Sequence, residues 1–248
     1  MKHRLLRALM PFGIYPHINF TYSPFKILEY EAMLEWLPPP GPGAALDIGC
    51  GDGIHTMLLG RRFGKMCGVD VNERFIAIAR DHARAFGSRA NLEFFSQPVE
   101  QIGFPADHFD VVLSVCVMEH IPNHEEVLSE CLRILKPGGR IVFSVDTLET
   151  ITDAALVESH RAQHHVVRYF RPDTLGELLA RKGYVNLEFR TLFRSDLARE
   201  LFVEGITNGF NFGRLRAPRL ADALRKAEAA VPADAPGIFL LARGERPR

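Results

Sequence analysis

Between Ala44 and Val145, short apolar runs alternate with segments of helical periodicity, and this alternation constrains the fold more than any other feature. Five runs have the length of buried strands: AALDI, KMCGVDV, LEFFSQ, FDVVLSV and RIVFSV. The segments between them predict helices at 54–62, 72–86 and 123–135. Strands that alternate with helices form mostly parallel sheets, joined by right-handed crossovers and covered on both faces. The sequence therefore predicts a doubly wound α/β fold.

Residues that favour helix ends support these boundaries. Asn123 and Glu126 have the spacing of a capping pair, and Asn72 is placed to cap the helix predicted from that position. Three glycines fall just after predicted helix ends, where a left-handed residue is favoured: Gly64, Gly87 and Gly138. We expect each to end its helix.

The chain beyond the fifth strand predicts two more strands. A polar stretch at 146–171 leads to a helix at 172–182 and a strand at 185–193, and the apolar run GIFLLAR at 237–243 predicts a closing strand, which makes seven. The segment 194–236 carries two helical patterns and exceeds the length of an ordinary loop. We expect it to be a helical cap inserted before the last strand.

Residues 1–43 precede the alternating pattern and end in PPPGPG, which cannot continue a helix. We expect a helical N-terminal segment here that acts as a lid on the substrate side, followed by the main domain at 44–248. Four aromatic residues could form the lid surface or, alternatively, the core of a helix pair: Tyr15, Phe20, Tyr22 and Phe25. The basic and apolar start resembles a signal peptide, but three residues interrupt it: Pro11, Gly13 and Pro16.

Composition excludes several classes of protein. The chain has 30 Lys plus Arg and 30 Asp plus Glu, and this balance argues against a general nucleic-acid binder. No apolar run is long enough to span a membrane. The four cysteines lack the spacing of a zinc site and the density of a disulfide scaffold, so we expect reduced thiols in a cytoplasmic protein: Cys50, Cys67, Cys116 and Cys131.

The segment ALDIGCGDG, at 45–53, joins the first strand to its helix. In a doubly wound sheet, ligands bind at the carboxyl ends of the strands, and this is the first such end. Glycines at 49, 51 and 53 allow a sharp turn and a close approach of a ligand to the backbone. The following helix would direct free N–H groups to the same place. A tight turn without a ligand is the alternative interpretation.

Asp70 lies at the end of the second predicted strand, 17 residues after Gly53, where a carboxylate can accept hydrogen bonds from both hydroxyls of a ribose. A solvated carboxylate near a helix start is the alternative. The glycine pattern is G-x-G-x-G rather than the G-x-G-x-x-G of dinucleotide-binding folds, and no Lys follows it as in a P-loop. These differences argue against NAD, FAD and nucleoside triphosphates as ligands.

Four segments, taken together, resemble class I S-adenosylmethionine-dependent methyltransferases: LDIGCGDG, GVD at 68–70, FDVVLSVCVMEHI at 109–121 and LKPGGRIVFSV at 135–145. The resemblance covers about Ala44 to Val145 and implies a seven-stranded Rossmann-like sheet with S-adenosylmethionine as cofactor. Outside that region it concerns architecture only.

The resemblance also implies roles for individual residues. Asp47 would face the ammonium of the methionine portion, and the loop from Gly49 through Cys50 and Gly51 to Gly53 would direct its amides toward the carboxylate. Asp70 would contact the ribose. The adenine would contact Val71, Gln97 and Pro98, and the methionine arm would contact Val115 and Cys116. The family often has Asp where Gln97 stands, and Gln offers the same carbonyl acceptor together with an amide donor.

A sulfonium makes its methyl group electrophilic, so the main task of such an enzyme is to align an acceptor atom, and a base is needed only for an acceptor such as a hydroxyl. His120 is the best-placed candidate base, although it could simply brace its loop, and Glu119 could orient the acceptor or a histidine. His160 and His164 would share one helix face. Two histidines are a weak metal signal, and we expect them to be solvent-exposed and the protein to need no metal.

The acceptor side is predicted mainly from its charge and apolar residues. Five residues in or near the cap suggest an apolar wall: Leu197, Leu201, Phe202, Phe210 and Phe212. Six arginines could bind an anionic acceptor or form a solvated basic face: Arg190, Arg194, Arg199, Arg214, Arg216 and Arg219. We expect methylation of a small molecule, with oxygen slightly favoured over nitrogen. The alternatives are a non-catalytic S-adenosylmethionine-binding scaffold and methylation of a macromolecule.

Overall fold

The computed structural model describes residues 22–85 and 91–248, and the predictions at Tyr15, Phe20 and Gly87 lie outside these ranges. The described residues form a sheet of seven strands in the order β3-β2-β1-β4-β5-β7-β6. The strands are β1 (Ala44–Ile48), β2 (Lys65–Val69), β3 (Leu92–Phe95), β4 (Phe109–Val115), β5 (Leu135–Asp146), β6 (Val185–Leu192) and β7 (Phe239–Glu245).

Helices lie between these strands and before the first. They are α1 (Pro24–Trp36), α2 (Ile54–Leu59), α3 (Glu73–Ala85), α4 (Val99–Ile102), α5 (His124–Ile134), α6 (Ala154–His164), α7 (Pro172–Lys182), α8 (Asp196–Asn208) and α9 (Arg216–Ala229), with a short 3-10 turn at Met118–His120. The predicted seven-stranded, doubly wound α/β fold is confirmed.

The sheet is parallel except at β7. Neighbouring strands from β3 through β5 pair in parallel, and β7 lies between β5 and β6 and is antiparallel to both. Strand order reverses between β1 and β4, because the chain moves outward from β1 to β3 and then returns to the other side of β1. Ligand crevices form outside the carboxyl ends of strands at such a reversal.

Burial explains why the apolar runs of the sequence became central strands. Leu46 in β1 and Val112 and Leu113 in β4 are completely buried, as is usual for strands covered by helices on both faces. Helix α5 buries Val127, Leu128, Cys131 and Ile134, which recur at helical spacing along one face. The core therefore lies on both sides of the sheet and leaves the strand ends free for a site.

Three of the predicted helix-end features differ from the structure. Helix α2 ends at Leu59, not at residue 62, and Gly60 donates its N–H to the Thr56 carbonyl at 2.8 Å. Gly64 is not left-handed; it is needed because a Cβ there would collide with the Pro42 carbonyl oxygen. Gly138 is left-handed at φ 76°, but β5 already begins at Leu135, directly after α5.

The two predicted helix caps have different outcomes. The Asn72 side chain accepts from the backbone N–H groups of Arg74, at 3.0 Å, and Phe75, at 3.3 Å, so the cap of α3 is confirmed. The capping pair at α5 is wrong, because the Asn123 side chain bonds instead to the carboxylates of Glu126 and Glu100. The two carboxylates hold the NH2 group of Asn123, and its side-chain oxygen accepts no backbone N–H of the helix.

Helices α8 and α9 confirm the two helical patterns predicted within 194–236. Between them and the sheet lies an aromatic cluster in which the Phe25 ring of α1 contacts Phe193, at 4.8 Å, and Phe202, at 5.8 Å. Phe25 is therefore a core residue, in line with the helix-core alternative. The roles of α1 as a lid and of 194–236 as a cap stay predictions.

Candidate functional site

A cavity of about 300 Å³ lies at the carboxyl ends of the central strands. Its walls are mostly apolar, and they include six residues that the sequence predicts for the site: Gly49, Asp70, Val71, Gln97, Pro98 and His120. These residues follow different strands and are far apart in sequence. Parallel strands bring them together because all their carboxyl ends meet at one edge.

Asp70 provides the carboxylate of this cavity. One of its oxygens accepts the N–H of Gly51 at 2.9 Å, and the other accepts the N–H of Asn72 at 2.8 Å. A carboxylate oxygen has two acceptor positions, so each can still accept a hydrogen bond from a ligand hydroxyl. Val71, the next residue, is 70% exposed. The cavity wall thus has two carboxylate oxygens that can accept hydrogen bonds from ligand hydroxyls, next to an exposed apolar side chain.

The glycine loop is fixed by hydrogen bonds within the protein. The N–H groups of Gly49 and Cys50 donate to the Val69 carbonyl at 2.8 and 3.0 Å, and the N–H of Gly53 donates to the Cys50 carbonyl at 2.9 Å. Gly49, Gly51 and Gly53 all have positive φ. The contact between the loop amides and a ligand carboxylate stays a prediction. In this arrangement the N–H groups at 49, 50 and 53 already donate to carbonyls of the protein.

The three glycines differ in what surrounds them. A Cβ at Gly49 would lie 2.5 Å from a Val117 methyl carbon, and one at Gly53 would lie 2.8 Å from the Ala79 side chain. A Cβ at Gly51 would meet no atom of the described residues within 4 Å. Packing of the protein therefore requires glycine at 49 and 53, while Gly51 is the position whose missing side chain leaves open space.

Asp47 is buried below the loop, and the Thr56 hydroxyl donates to its carboxylate at 2.6 Å. Burial raises the pKa of Asp47 to about 7, although the Thr56 hydrogen bond acts in the opposite direction. A cation bound nearby would favour the ionised form. The predicted contact with a ligand ammonium is thus chemically suitable, although Asp47 does not line the cavity itself.

Cys50 and Cys116 can contribute to a ligand site only in particular ways. The Cys50 side chain packs in an apolar cluster with Ile76, Ala79 and Phe94, so its predicted contact would be through the backbone. The Cys116 thiol lies 2.9 Å from Glu29 of α1. Val115 packs against a neighbouring apolar cluster that contains Leu113.

Glu119 and His120 follow β4 in the short 3-10 turn. Glu119 is completely buried; one oxygen accepts the Asp146 N–H at 3.3 Å, and the other has no hydrogen-bond partner among the described residues. Burial and the neighbouring Asp146 raise the pKa of Glu119 well above its usual value, which favours the protonated carboxyl. His120 lies on the cavity wall, and burial lowers its pKa, which favours the neutral imidazole.

Two residues near the site differ from expectation. His160 was expected to be exposed, but it is 3% exposed and lies against Phe202 with ring centroids 5.3 Å apart. The shared helix face is confirmed, since the rings of His160 and His164 lie 4.6 Å apart. Asp146 was not predicted as a site residue. Its position as the last residue of β5, beside β4, is the sequence signal that could have identified it.

The side chains of Cys116, Glu119 and Asp146 converge, with their sulfur and oxygen atoms within 4.8 Å of one another. A metal would need the Cys116 thiolate as ligand. Burial instead raises the pKa of the Cys116 thiol well above its usual value, and the Glu29 carboxylate accepts its hydrogen bond. These groups fit a protonated polar cluster better than a metal centre.

Most of the six arginines proposed for an anionic acceptor are paired within the protein. Four form ion pairs: Arg190 with Glu35, Arg194 with Glu228, Arg199 with Asp196, and Arg216 with Glu204. The anionic acceptor stays a prediction, with Arg214 and Arg219 as its remaining basic residues. The predicted apolar wall is part of the aromatic cluster around Phe25.

Within the described residues, no helix combines the length and apolar character needed to cross a membrane.

Residues 46–143 match a protein family described as a methyltransferase domain. The chain is 29% identical over 138 residues to a ubiquinone biosynthesis O-methyltransferase of Coxiella burnetii, covering 52% of this chain and 58% of that protein. It is 35% identical over 130 residues to the protein of the same name from Acinetobacter baumannii, covering 50% and 54%. The chain thus spans little more than half the length of these relatives.

Solved structures share the fold. A Haemonchus contortus phosphoethanolamine N-methyltransferase 2, in complex with S-adenosyl-L-methionine, matches with a TM-score of 0.67 and 19% identity, over 98% of this chain and 60% of that chain. A geranyl diphosphate C-methyltransferase from Streptomyces coelicolor, in complex with S-adenosyl-L-homocysteine, matches with a TM-score of 0.64 and 16% identity, over 89% and 79%. At these identities the likeness concerns the fold alone.

Proposed function

We propose that this chain is a class I S-adenosylmethionine-dependent methyltransferase and transfers a methyl group from that cofactor to a hydroxyl of a small molecule. The observation that carries the proposal is the cavity at the strand ends, which Asp70 and Val71 line, together with Gly51, which donates its N–H to Asp70 at 2.9 Å and has open space where a side chain would lie. A nucleoside needs these features in this combination: acceptors for two hydroxyls and an apolar surface for a base.

The residues present fit the cofactor part by part. Asp70 has free acceptor positions for the ribose hydroxyls, and Val71 offers exposed apolar surface to the adenine. Gln97 and Pro98 form another wall of the same cavity. The Asp47 carboxylate, which burial holds close to its titration point, would favour a neighbouring ammonium. Bound S-adenosylmethionine supplies an electrophilic methyl group on a sulfonium sulfur.

The acceptor would lie on the side of His120, where α1 and α6 approach the ends of β4 and β5. Glu29 of α1 accepts the Ser144 hydroxyl of β5 at 2.6 Å, so α1 is fixed to the strand end at this point. His120, as a neutral imidazole on the cavity wall, has one hydrogen-bond donor and one acceptor with which it can hold the acceptor molecule. Holding two reactants in line contributes about 7 to 11 kcal/mol to such a reaction.

Two observations favour a small-molecule hydroxyl as acceptor. The relatives at 29% and 35% identity are named O-methyltransferases of ubiquinone biosynthesis, and ubiquinone is a small molecule. The charge of the chain is balanced, whereas a protein that binds nucleic acid broadly is usually basic. We also propose that α1 and the 194–236 segment enclose the acceptor, because α8 packs against α6 and α9 packs against α1.

The proposal can be tested with S-adenosylmethionine carrying a tritiated methyl group and fractions of a cell extract. We expect the wild type to label the small-molecule fraction. The His120→Ala variant should lower kcat and leave the cofactor Kd unchanged. His108→Ala is the matched control, since His108 precedes β4 at the end of the sheet away from the cavity and stacks on Phe104.

Other outcomes would contradict the proposal in distinct ways. Label in protein or nucleic acid would show a macromolecular acceptor. Cofactor binding without transfer to any fraction would show a non-catalytic scaffold. Equal kcat in His120→Ala and wild type would remove His120 from the reaction.

A further inference from the structure

On the basis of the proposed function, we infer that Asp146 is the general base of the methyl transfer, and that His160 and Tyr169 position it. Asp146 lies at the carboxyl end of β5, next to the end of β4. Its backbone N–H donates to the Glu119 carboxyl at 3.3 Å, and the residue after Glu119 is His120, which lines the cavity. Asp146 is thus separated from the cofactor cavity by a single turn of chain, on the side assigned to the acceptor.

A buried chain of polar side chains lies beside the Asp146 carboxylate. Its Oδ2 atom lies 3.6 Å from Nε2 of His160. The other ring nitrogen, Nδ1, lies 3.1 Å from the Tyr169 hydroxyl, which lies 3.2 Å from the Val157 carbonyl. His160 and Asp146 are 3% and 5% exposed. A base whose orientation is set by a second residue, itself held by a third, is the usual arrangement of a catalytic acid or base.

The chain has two proton arrangements, and they differ by one proton. When Asp146 is ionised, His160 donates from Nε2 to the carboxylate, and Nδ1 accepts from the Tyr169 hydroxyl. When Asp146 is protonated, it can donate to Nε2; His160 then donates from Nδ1 to the Tyr169 oxygen, and Tyr169 donates to the Val157 carbonyl. Both arrangements give each ring nitrogen a polar partner, and a small approach of His160 Nε2 to Asp146 Oδ2 from their 3.6 Å separation would complete the hydrogen bond between them.

Charged and titratable groups from several elements surround Asp146. The neighbouring groups are Lys26 and Glu29 from α1, Cys116 and Glu119 after β4, His160 from α6, and Tyr169 after α6. Lys26 and Glu29 form an ion pair at 2.7 Å. Burial raises the pKa of Asp146 to about 7, while Lys26 acts in the opposite direction.

Glu119 and Asp146 therefore have separate roles. Burial and the neighbouring Asp146 raise the pKa of Glu119 well above its usual value, and its second oxygen has no partner in the described residues. Such an oxygen can hold the acceptor hydroxyl or a neighbouring oxygen by hydrogen bond. Two adjacent carboxyl groups whose pKa values are pushed apart commonly divide the tasks of acid and base in this way.

The step balances with these groups alone. The acceptor O–H proton passes to the Asp146 carboxylate as the acceptor oxygen forms a bond to the methyl carbon. The carbon–sulfur bond breaks, and its electron pair stays on sulfur, which becomes a neutral thioether. The products are a methyl ether, the demethylated cofactor and one proton on Asp146, which returns to solvent after the products leave.

The decisive variant is Asp146→Asn, assayed with the extract fraction that the wild type labels. We expect kcat to fall about 100-fold to 10,000-fold, the usual effect of losing a general base. The cofactor Kd from calorimetry should not change, which shows that the variant is folded. In the wild type kcat should rise with pH through about 7, because the base must be ionised, and this limb should be absent from Asp146→Asn. Asp173→Asn, an exposed carboxylate of α7, is the matched control.

His160 gives a second test that a purely structural role would not satisfy. The His160 ring lies beside Phe202 and Phe210, so a phenyl ring in His160→Phe has apolar neighbours. The variant loses the Nε2–H donor, and the ionised form of Asp146 should therefore be less stable. The rising limb should move to higher pH. His160→Gln restores an amide donor and should return the limb toward the wild-type position.

Failure of this inference can be distinguished from failure of the proposed function. If the wild type binds and transfers the label but Asp146→Asn keeps its kcat and pH profile, Asp146 is not the base and the proposed function stands. If the rising limb disappears in His120→Ala and persists in Asp146→Asn, His120 is the base. If the wild type labels no fraction, the proposed function fails and this inference fails with it.

Discussion

The substitution Gly49→Ala tests how the glycine loop is held together. Gly49 has φ of 72°, and an added Cβ would lie 2.5 Å from one Val117 methyl carbon and 2.9 Å from the Val117 Cβ. A left-handed backbone costs about 1 to 2 kcal/mol for a residue with a Cβ, and overpacking of a close-packed position costs about 1 to 3 kcal/mol more. We therefore expect the free energy of unfolding to fall by about 2 to 5 kcal/mol.

Gly51→Ala is the matched control for this prediction. Gly51 is also left-handed, with φ of 53°, but within residues 22–85 and 91–248 a Cβ there would meet no atom within 4 Å. It should lose only the backbone contribution of about 1 to 2 kcal/mol. Because the added methyl group would project into the open space assigned to the cofactor, Gly51→Ala should weaken S-adenosylmethionine binding although the protein remains folded.

Urea unfolding of the wild type and the two single variants measures these differences, and calorimetry measures cofactor affinity. Adding Val117→Ala to Gly49→Ala removes both methyl groups that the new Cβ would meet. The double variant should recover about 1 kcal/mol or more relative to the sum of the single changes. Equal unfolding free energies for Gly49→Ala and Gly51→Ala would refute the packing explanation.

Three further predictions concern charge and exposed surface. Burial raises the pKa of Asp47 to about 7, so cofactor affinity should rise from about pH 6 to about pH 8 in calorimetry. Without cofactor, the free energy of unfolding should fall between about pH 4 and about pH 7, where this carboxyl is ionised in the unfolded chain but still protonated in the folded protein, and should level off above that range; Asp47→Asn should flatten both trends. Val71→Ala should weaken cofactor binding by about 1 kcal/mol with no change in thermal stability. The control Leu215→Ala, at a side chain that is 82% exposed, should change neither cofactor binding nor thermal stability. Glu228→Ala should lower the free energy of unfolding by about 2 to 4 kcal/mol, because Glu228 accepts the backbone N–H groups at 194 and 195. Glu204→Ala, at a more exposed ion pair, should lower it by less than about 1 kcal/mol, and similar losses in the two variants would contradict this explanation.

The sequence predicts the elements whose neighbours are close in the chain. The bounds of β1 and β4 follow from their apolar runs, and α7 is found where Pro172 and Gly183 limit it. Asp70 and Val71 line the cavity as predicted, because the end of a parallel strand fixes where the following residues lie. Local pattern and strand order are enough for this part of the site.

The features that were missed depend on contacts between distant segments. His160 is buried because α6 packs against Phe202 of α8, and Asp146 becomes a titrating group because α1, β4 and α6 exclude water from it. The arginines of the 190–219 stretch meet acidic partners up to 155 residues away, as Arg190 does with Glu35. Neither helical periodicity nor strand pattern contains this information.

The central claim, that the cavity at the strand ends binds S-adenosylmethionine through Asp70, can be measured directly by calorimetric titration of the wild type and Asp70→Ala. Each hydrogen bond to a charged acceptor contributes about 1.5 to 3 kcal/mol, so loss of the ribose contacts should weaken binding by at least about tenfold. The exposed-surface control Asp173→Ala should bind as the wild type does. Undiminished binding by a folded Asp70→Ala variant, or no binding by the wild type, would contradict the cofactor assignment.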